Sequence, residues 1–261
     1  MPASRPTKLR MLHRTAPGVG AFATSDSCGQ LLVYVTSLPG RSVWAAQEVH
    51  QKNAAMSCCF AGSVSAPAGI AYSLRPALKT LTKDGGRLVN LASSGHRFSN
   101  VDLNDPNFEA TPYEPFLAYG RSKTANILFA VAFDQRHRER GVRAAAVHPG
   151  GIQTELARHM DPAQMEQMVK QINEEAAAEG KEPFQFKTVL HGAATSVWAA
   201  VVAPAEEVGG RYCENCHVSD VVADDARLGL LDEGVRGYAL DPENAKALWK
   251  KSEEMVGESF A

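Results

Sequence analysis

Leu88-Val89-Asn90-Leu91-Ala92 is a short apolar run that stops at Ser93-Ser94, and the reading of the whole chain starts there. A polar loop follows, then Tyr119-Gly-Arg-Ser-Lys123 at the head of an amphipathic segment, then a second apolar run, Val142 to Val147. That second run ends in His148-Pro149-Gly150-Gly151-Ile152-Gln153-Thr154. Two short apolar runs bracketing a helical pattern read as strand, helix, strand, the repeating unit of an α/β layer structure. The unit presents a hydroxyl, a phenol, an ammonium and a Pro-Gly loop.

The spacing of those groups carries chemistry. Tyr119 and Lys123 are four residues apart, so on a helix they stack one turn apart on one face. A free phenol ionises near 10, far from a useful working pH, and a proton donor or acceptor works best when its pKa lies near that pH. An ammonium one turn away favours the phenolate. Ser94, at a strand end, offers a hydroxyl to a substrate oxygen. Such a set can protonate an oxygen during carbonyl reduction or deprotonate an alcohol during oxidation. It carries no hydride, so a cofactor must.

Ser94, Tyr119-x-x-x-Lys123 and Pro149-Gly150-Gly151-Ile152-x-Thr154, in that order, resemble the short-chain dehydrogenase/reductase family. Leu91-Ala-Ser-Ser-Gly-His-Arg97, Asp105-Pro-Asn-Phe108, Tyr119-Gly-Arg-Ser-Lys-Thr-Ala-Asn126 and Ala146-Val-His-Pro-Gly-Gly151 resemble its retinol-dehydrogenase-like and WW-domain-oxidoreductase-like branch. Gly209-Gly-Arg-Tyr212, Tyr238 and Leu248-Trp249 look similar too. The resemblance covers roughly Leu74 to Val256. It implies a Rossmann-like, doubly wound, mostly parallel sheet and a bound NADP or NAD. It also implies that Ser94, Tyr119 and Lys123 are catalytic, with Ser94 rather than Ser93 holding the serine role. Tyr119, Lys123, Pro149, Gly150, Ile152 and Thr154 would border the cofactor. No metal is implied.

The N-terminal third departs from that pattern. Leu31-Leu-Val-Tyr-Val-Thr36 reads as a buried strand, Ser37-Leu-Pro-Gly40 as a turn and Arg41 to Gln51 as a helix. The family pattern Thr-Gly-x-x-x-Gly-x-Gly is replaced by Thr36-Ser-Leu-Pro-Gly40-Arg-Ser-Val43, with one glycine out of register. Cys59-Phe-Ala-Gly62 stands where the family has Asn-Asn-Ala-Gly, and the only asparagine between Gly62 and Ser94 is Asn90. The ordered chain before Leu88, about 60 residues, has room for two βα units, each about 30 residues, where the family fits about four. The sheet is therefore expected to be shortened on its N-terminal side. Two readings follow. One is an NAD(P)-dependent oxidoreductase interconverting an alcohol and a carbonyl on a lipophilic small molecule. The other is a catalytically impaired relic of that fold acting in protein association.

Composition bounds the remaining classes. The 261 residues are 44% hydrophobic and 21% charged, with a formal net charge of -2. That balance argues against a nucleic-acid binder. There is no run of apolar residues long enough for a transmembrane segment. Five cysteines in no regular pattern suit a reducing, cytoplasmic setting. Residues 1–27 carry Arg5, Lys8, Arg10 and Arg14 and no acid before Asp26, which reads as a disordered basic terminus or, alternatively, a mitochondrial transit segment. Residues 28–261 read as one domain, with 155–187 a helical insert over the substrate cleft, where Met160, Met165 and Met168 either line a lipophilic pocket or pack the insert down.

Asn100 to Pro115 reads as a loop at the site's rim, its aspartates lacking the spacing of a calcium loop. Cys213-Glu-Asn-Cys216-His217 reads as a strand end rather than a haem or zinc motif. Helices are expected over 117–140, capped by Gly141, over 190–202 and over 241–256. The first two are long and Ala-rich, and in the resembling family the corresponding helices pair across a two-fold axis, which implies a homodimer or homotetramer.

Overall fold

The computed structural model describes residues 19–26, 29–38, 41–46, 86–152, 162–229 and 231–259. Seven strands form one sheet in chain order: β1 (Val19–Asp26), β2 (Gly29–Leu38), β3 (Arg41–Ala46), β4 (Gly86–Leu91), β5 (Val142–His148), β6 (Tyr212–Glu214) and β7 (His217–Val218). The four central strands, β3 to β6, are parallel. The margins, β1–β2, β2–β3 and β6–β7, are antiparallel. Parallel neighbours need a crossover. Between β4 and β5 it contains α1 (Pro115–His137); between β5 and β6 it contains α2 (Pro162–Ala178), α3 (Val189–Val197) and α4 (Ala205–Val208). A small parallel pair, β8 (Val221–Val222) with β9 (Val235–Arg236), then leads into α5 (Gly237–Leu240) and α6 (Pro242–Val256).

Alternation along β4 and β5 sorts side chains onto two faces. Leu88, Ala144, Ala146 and Tyr212 pack with α1 and with Leu248 and Trp249 of α6. Val89, Ala145, Val147 and Cys213 pack on the opposite face with Ala199, Ala203 and Val208. Helices therefore cover both faces of the parallel strands, the α/β architecture implied by the sequence. Such strands are buried twice over and need apolar residues at consecutive positions. That is why Leu88-Val89 and Ala144 to Val147 read as continuous runs.

Capping chemistry sets the bounds of α1. The Glu114 carboxylate accepts from the Phe116 and Leu117 N–H groups, and Pro115 occupies the first turn. At the far end a 3-10 turn, Arg138–Arg140, closes on Gly141 at φ 74, a conformation glycine adopts without strain. The sequence suggests a stripe of Ile127, Leu128 and Val131; instead every residue from Thr124 to Asp134 is buried. Phe129 stacks on Trp249 at 5.7 Å, and the Arg136 guanidinium lies 4.3 Å from the same ring. Asp134, buried in this setting, accepts both Arg143 Nε at 2.8 Å and Arg143 Nη2 at 3.1 Å, and also the Ala144 N–H. The C-terminal end of α1 is thereby fastened to β5.

Three expectations are revised. Arg41 to Ala46 is strand, not helix: Leu38 pairs with Arg41 in an antiparallel ladder, and β-branched Val43 and aromatic Trp44 sit in strand positions. Val19–Asp26, within the stretch expected to lack structure, pairs along its full length with β2. The helix expected over 190–202 is α3 followed by a π-helical turn, Trp198–Val202. The readings at Cys59 to Gly62 and Leu74 to Lys83 lie outside the described residues. Among the described residues no helix is long and apolar enough to cross a membrane.

Buried imidazoles make the fold acid-sensitive. His96 is fully buried; its Nδ1 meets the Ser93 carbonyl at 2.8 Å and its Nε2 accepts the Arg236 N–H at 3.2 Å. Burial pushes its pKa down to about 4, and Arg97 and Arg236 push the same way, against the Ser93 bond. His137, packed on Phe133, is also pushed down to about 4 by burial and by Arg140 and Arg136. In the unfolded chain both protonate near 6.5. Between those values the unfolded state binds more protons, so stability that is complete above 6.5 is lost as pH falls toward 4. For His96 this amounts to at most about 3 kcal/mol. Thermal melts should show a Tm several degrees lower at pH 4.5 than at pH 7, with a shallower pH dependence in His96→Asn. A Tm independent of pH over that range would contradict the assignment.

Candidate functional site

The site forms where β4, α1 and β5 meet. β4 ends at Leu91 and the chain turns at Ser93, which caps a 3-10 turn, Ser94–Phe98. The Ser93 hydroxyl accepts the Gly95 N–H at 3.1 Å. Ser93 is therefore committed to the turn, and Ser94 is the serine whose hydroxyl is uncommitted among the described residues. Tyr119 lies beside it: a Cβ built on Gly95 would stand 2.3 Å from Tyr119 Cε1 and 2.6 Å from Cδ1. The phenol ring thus seats directly on the residue after Ser94. Lys123 Nζ sits 5.3 Å from the centre of the Tyr119 ring. Ser94, Tyr119 and Lys123, read from a strand end and from one four-residue spacing, lie at the C-terminal ends of parallel strands, where open α/β sheets place their ligands.

The Pro149–Ile152 segment leaves the end of β5 in the same region. Gly150 has φ 90, a conformation that side chains disfavour. Ile152 forms an isolated parallel bridge with Lys187, and the Lys187 N–H donates to the Gly151 carbonyl at 2.8 Å. Phe184 lies over Gly151, its Cζ 2.8 Å from a built Cβ, and Phe186 packs edge-on against Phe184 at 4.9 Å. A strap, 184–187, therefore crosses the Pro-Gly loop, tied at its start by the Phe184 N–H to Asn173 of α2. Thr154 and Met160 lie outside the described residues. Met165 and Met168 are partly buried on α2.

Several organising residues carry weaker sequence signals. Asn126 donates its amide to the Leu91 carbonyl at 2.9 Å, and Asn90 donates to the Asn126 carbonyl at 2.7 Å. Asn90 is therefore spent on joining β4 to α1. Gly120 allows α1 to approach the 3-10 turn, since a Cβ there would stand 2.8 Å from Ser99 N. Gly95 and Gly120 follow the serine pair and the tyrosine directly, and that adjacency is the signal that could have singled them out. His148, at the end of β5, is pushed down to about 3 by burial and by Arg97, Lys187 and His96. It is a neutral wall of the site.

Hydrogen bonds to one carboxylate shape the rim. The Asp105 carboxylate accepts the N–H groups of Glu109, Ala110 and Thr111 and the Thr111 hydroxyl, which holds its pKa down. Arg121 clamps the same loop through the Asp105 carbonyl and lies 4.2 Å from the Phe108 ring. Cys213 lies on β6, whereas Cys216 sits in the two-residue hairpin turn, Asn215 (φ 46) and Cys216 (φ 61), that follows it. Cys213 is buried, its thiol pushed up to about 12 by burial, whereas Cys216 is exposed. Among the described residues no group of three His, Cys, Asp or Glu side chains gathers to hold a metal.

The seat of Tyr119 on Gly95 yields a test. Gly95→Ala should destabilise the fold by about 1–3 kcal/mol, because the added methyl must displace an aromatic ring or the turn. Urea denaturation of parent and variant measures this. Equal midpoints would show that the ring does not rest on Gly95.

No family model matches the chain. It is 36% identical over 170 residues to a short-chain dehydrogenase/reductase of Penicillium roqueforti, an alignment covering 65% of this chain and 46% of that protein. It is 37% identical over 182 residues to a probable oxidoreductase of Streptomyces lividans, covering 69% and 59%. Retinol dehydrogenase 13 of Mus musculus is 30% identical over 178 residues, covering 67% and 46%. An oxidoreductase of the short-chain dehydrogenase/reductase family from Burkholderia thailandensis superposes with TM-score 0.43 at 16% identity, covering 85% of this chain and 71% of that one. The chain spans about half the length of the curated relatives it matches. Through the part that aligns, it belongs to the short-chain dehydrogenase/reductase family, with retinol dehydrogenases among its relatives.

Proposed function

We propose that this protein is an NAD(P)-dependent oxidoreductase that interconverts an alcohol and a carbonyl on a lipophilic small molecule. The observation that carries this reading is the convergence of Tyr119, Lys123 and the uncommitted Ser94 hydroxyl beside the Pro149–Ile152 loop. In this scheme Ser94 donates a hydrogen bond to the reacting oxygen. The Tyr119 phenol gives that oxygen its proton in reduction and takes it back in oxidation, with the Lys123 ammonium one helical turn away. A bound nicotinamide supplies or accepts the hydride.

The two halves of the cofactor fit differently. Tyr119, Lys123, Pro149, Gly150 and Ile152, with Thr154 from the sequence pattern, would border the nicotinamide and its ribose. Thr36 to Val43 does not fit the diphosphate in the usual way. A helix N-terminus would offer N–H groups to phosphate, but Thr36–Leu38 and Arg41–Val43 pair with each other as strand residues of β2 and β3. We therefore expect binding weakened at least 100-fold, since two or three charge-assisted hydrogen bonds at roughly 1.5–3 kcal/mol each are lost. That same pairing supports the second reading, a relic serving in protein association. Exposed Val189, Leu190 and Val197 on α3 support self-association as a homodimer or homotetramer under either reading. Cys213 and Cys216, both free among the described residues, and the lack of a regular cysteine pattern support a reducing compartment such as the cytoplasm.

Titration of the full chain with NADH and NADPH, followed by nicotinamide fluorescence, separates the readings. Saturation with a Kd well above micromolar is expected of the enzyme, and no binding up to about 10 mM would favour the relic. A micromolar or tighter Kd would show that the diphosphate is held in some other way. Against a panel of medium-chain aldehydes and retinaldehyde, Tyr119→Phe should lose about 10²–10⁴-fold in turnover with Tm unchanged. Turnover within tenfold of the parent would remove Tyr119 from the proton-transfer role.

A further inference from the structure

The strap over the Pro-Gly loop ends in a cation that the scheme above does not use. Lys187 extends its side chain across Gly150, and a Cβ built there would stand 2.8 Å from each of Cδ, Cε and Nζ. Only glycine at 150 leaves room for that path. Its ammonium donates to Asn215 Oδ1, a neutral oxygen. Asn215 in turn donates to Glu233, whose second oxygen lies 3.3 Å from His217 Nε2. Among the described residues no carboxylate comes within ion-pair distance of Lys187. The neighbouring cations differ: Arg97 faces Glu214 at 3.7 Å, and Lys181 lies between Glu179 and Asp232. Their charge is answered from within the fold, and that of Lys187 meets no carboxylate among the described residues.

The surroundings sharpen the sign of the field. Lys187 immediately precedes Thr188, which caps α3 by accepting the His191 N–H. The first turn of that nine-residue helix adds its own partial positive charge beside the ammonium. His148 Nδ1 is buried nearby with no hydrogen-bond partner among the described residues. Phe184 and Phe186 make an apolar wall on the other side of Gly151. An ammonium with no carboxylate partner among the described residues, a helix N-terminus and an apolar wall, gathered at the C-terminal end of β5, favour an oxyanion attached to a larger ligand.

We propose that Lys187 is the anion-holding residue of this site, its ammonium taking a phosphate or carboxylate oxygen of the bound ligand while Asn215 holds the side chain across Gly150. The proposal rests on the reading of this region as a ligand cleft. A cofactor diphosphate and a substrate carboxylate present the same oxyanion chemistry, and the test separates them.

Calorimetric titration at low salt, using the full chain, compares the parent with Lys187→Met and Lys187→Arg. The probes are sodium pyrophosphate and decanoate. One of the two should bind the parent, weaken at least tenfold in Lys187→Met and recover most of that loss in Lys187→Arg. Pyrophosphate as the responding probe assigns the anion to the cofactor; decanoate assigns it to the substrate. Lys187→Gln serves as the neutral variant if the methionine form does not fold by circular dichroism. Binding of both probes unchanged within twofold, or absent at about 10 mM, overturns the proposal. Tyr119→Phe run alongside keeps the two readings apart. Lys187-dependent anion binding without turnover in any protein would sink the enzyme reading and keep this one. Normal turnover with anion binding indifferent to Lys187 would do the reverse.

Discussion

The relation of Tyr119 and Lys123 to Ser94 depends on two amide hydrogen bonds between β4 and α1. Asn126 donates to the Leu91 carbonyl and Asn90 donates to the Asn126 carbonyl, and both side chains are buried. Tyr119, Lys123 and Asn126 stand at positions i, i+4 and i+7, so they share one stripe of α1. Fixing Asn126 against Leu91 therefore fixes the other two against Ser94, three residues further along the chain. The amide oxygens of both asparagines lack partners among the described residues. A buried unsatisfied acceptor costs about 1–3 kcal/mol. The pair thus holds position more than it adds stability, as local rules are broken mainly where a site requires it.

A second constraint carries the site's floor. Arg97 donates Nη1 to the Asp232 carbonyl and both Nε and Nη2 to the Gly234 carbonyl, while its guanidinium faces Glu214. Glu214 accepts Ser219 Oγ at 2.5 Å and the Gly234 N–H at 2.7 Å. A buried ion pair is costly unless its remaining hydrogen-bonding groups are satisfied, and these bonds meet that condition. They tie the 3-10 turn after Ser94 to β6 and to the segment before β9. Tyr238 adds a bond from its hydroxyl to the His96 carbonyl. The distant C-terminal segments that look alike in the resembling family therefore bear directly on the turn that carries Ser94.

What the sequence discloses follows from how local each signal is. The cap at Gly141, the strand runs at Leu88 and Val142 and the four-residue spacing of Tyr119 and Lys123 act within one element, and the structure keeps them. Arg41 to Gln51 misleads because Ala45-Ala46-Gln47-Glu48 favours helix, while the outcome for Arg41–Ala46 is set by pairing with β2 and β4. Pairing partners are invisible to a single-segment propensity. Asn126 and Lys187 are unremarkable in isolation, and their roles exist only once Leu91 and Gly150 are beside them. The Cys213 to His217 motif resolves for the opposite reason. A two-residue hairpin turn with positive φ at both residues holds Cys216 and leaves Cys213 on β6, and Asn215 tolerates that conformation well.

The structure divides a nucleotide-binding fold along the line where its chemistry divides. Proton transfer needs a phenol, an ammonium and a hydroxyl held to within fractions of an ångström, and those groups sit on the part of the sheet anchored by α1, β4 and β5. Diphosphate binding needs a glycine-lined helix N-terminus after a first strand, and here an antiparallel strand pair occupies the corresponding stretch. The two functions rest on different elements, so losing one leaves the packing of the other intact: Leu88, Ala144 and Ile127 are buried in a core to which α1, β4, β5, β6 and α6 contribute. Independence of this kind explains how the hydroxyl, phenol and ammonium can persist together while Thr36–Leu38 and Arg41–Val43 are strand residues. It also explains why an ammonium on the C-terminal side, outside that strand pair, is the place to look for compensating charge.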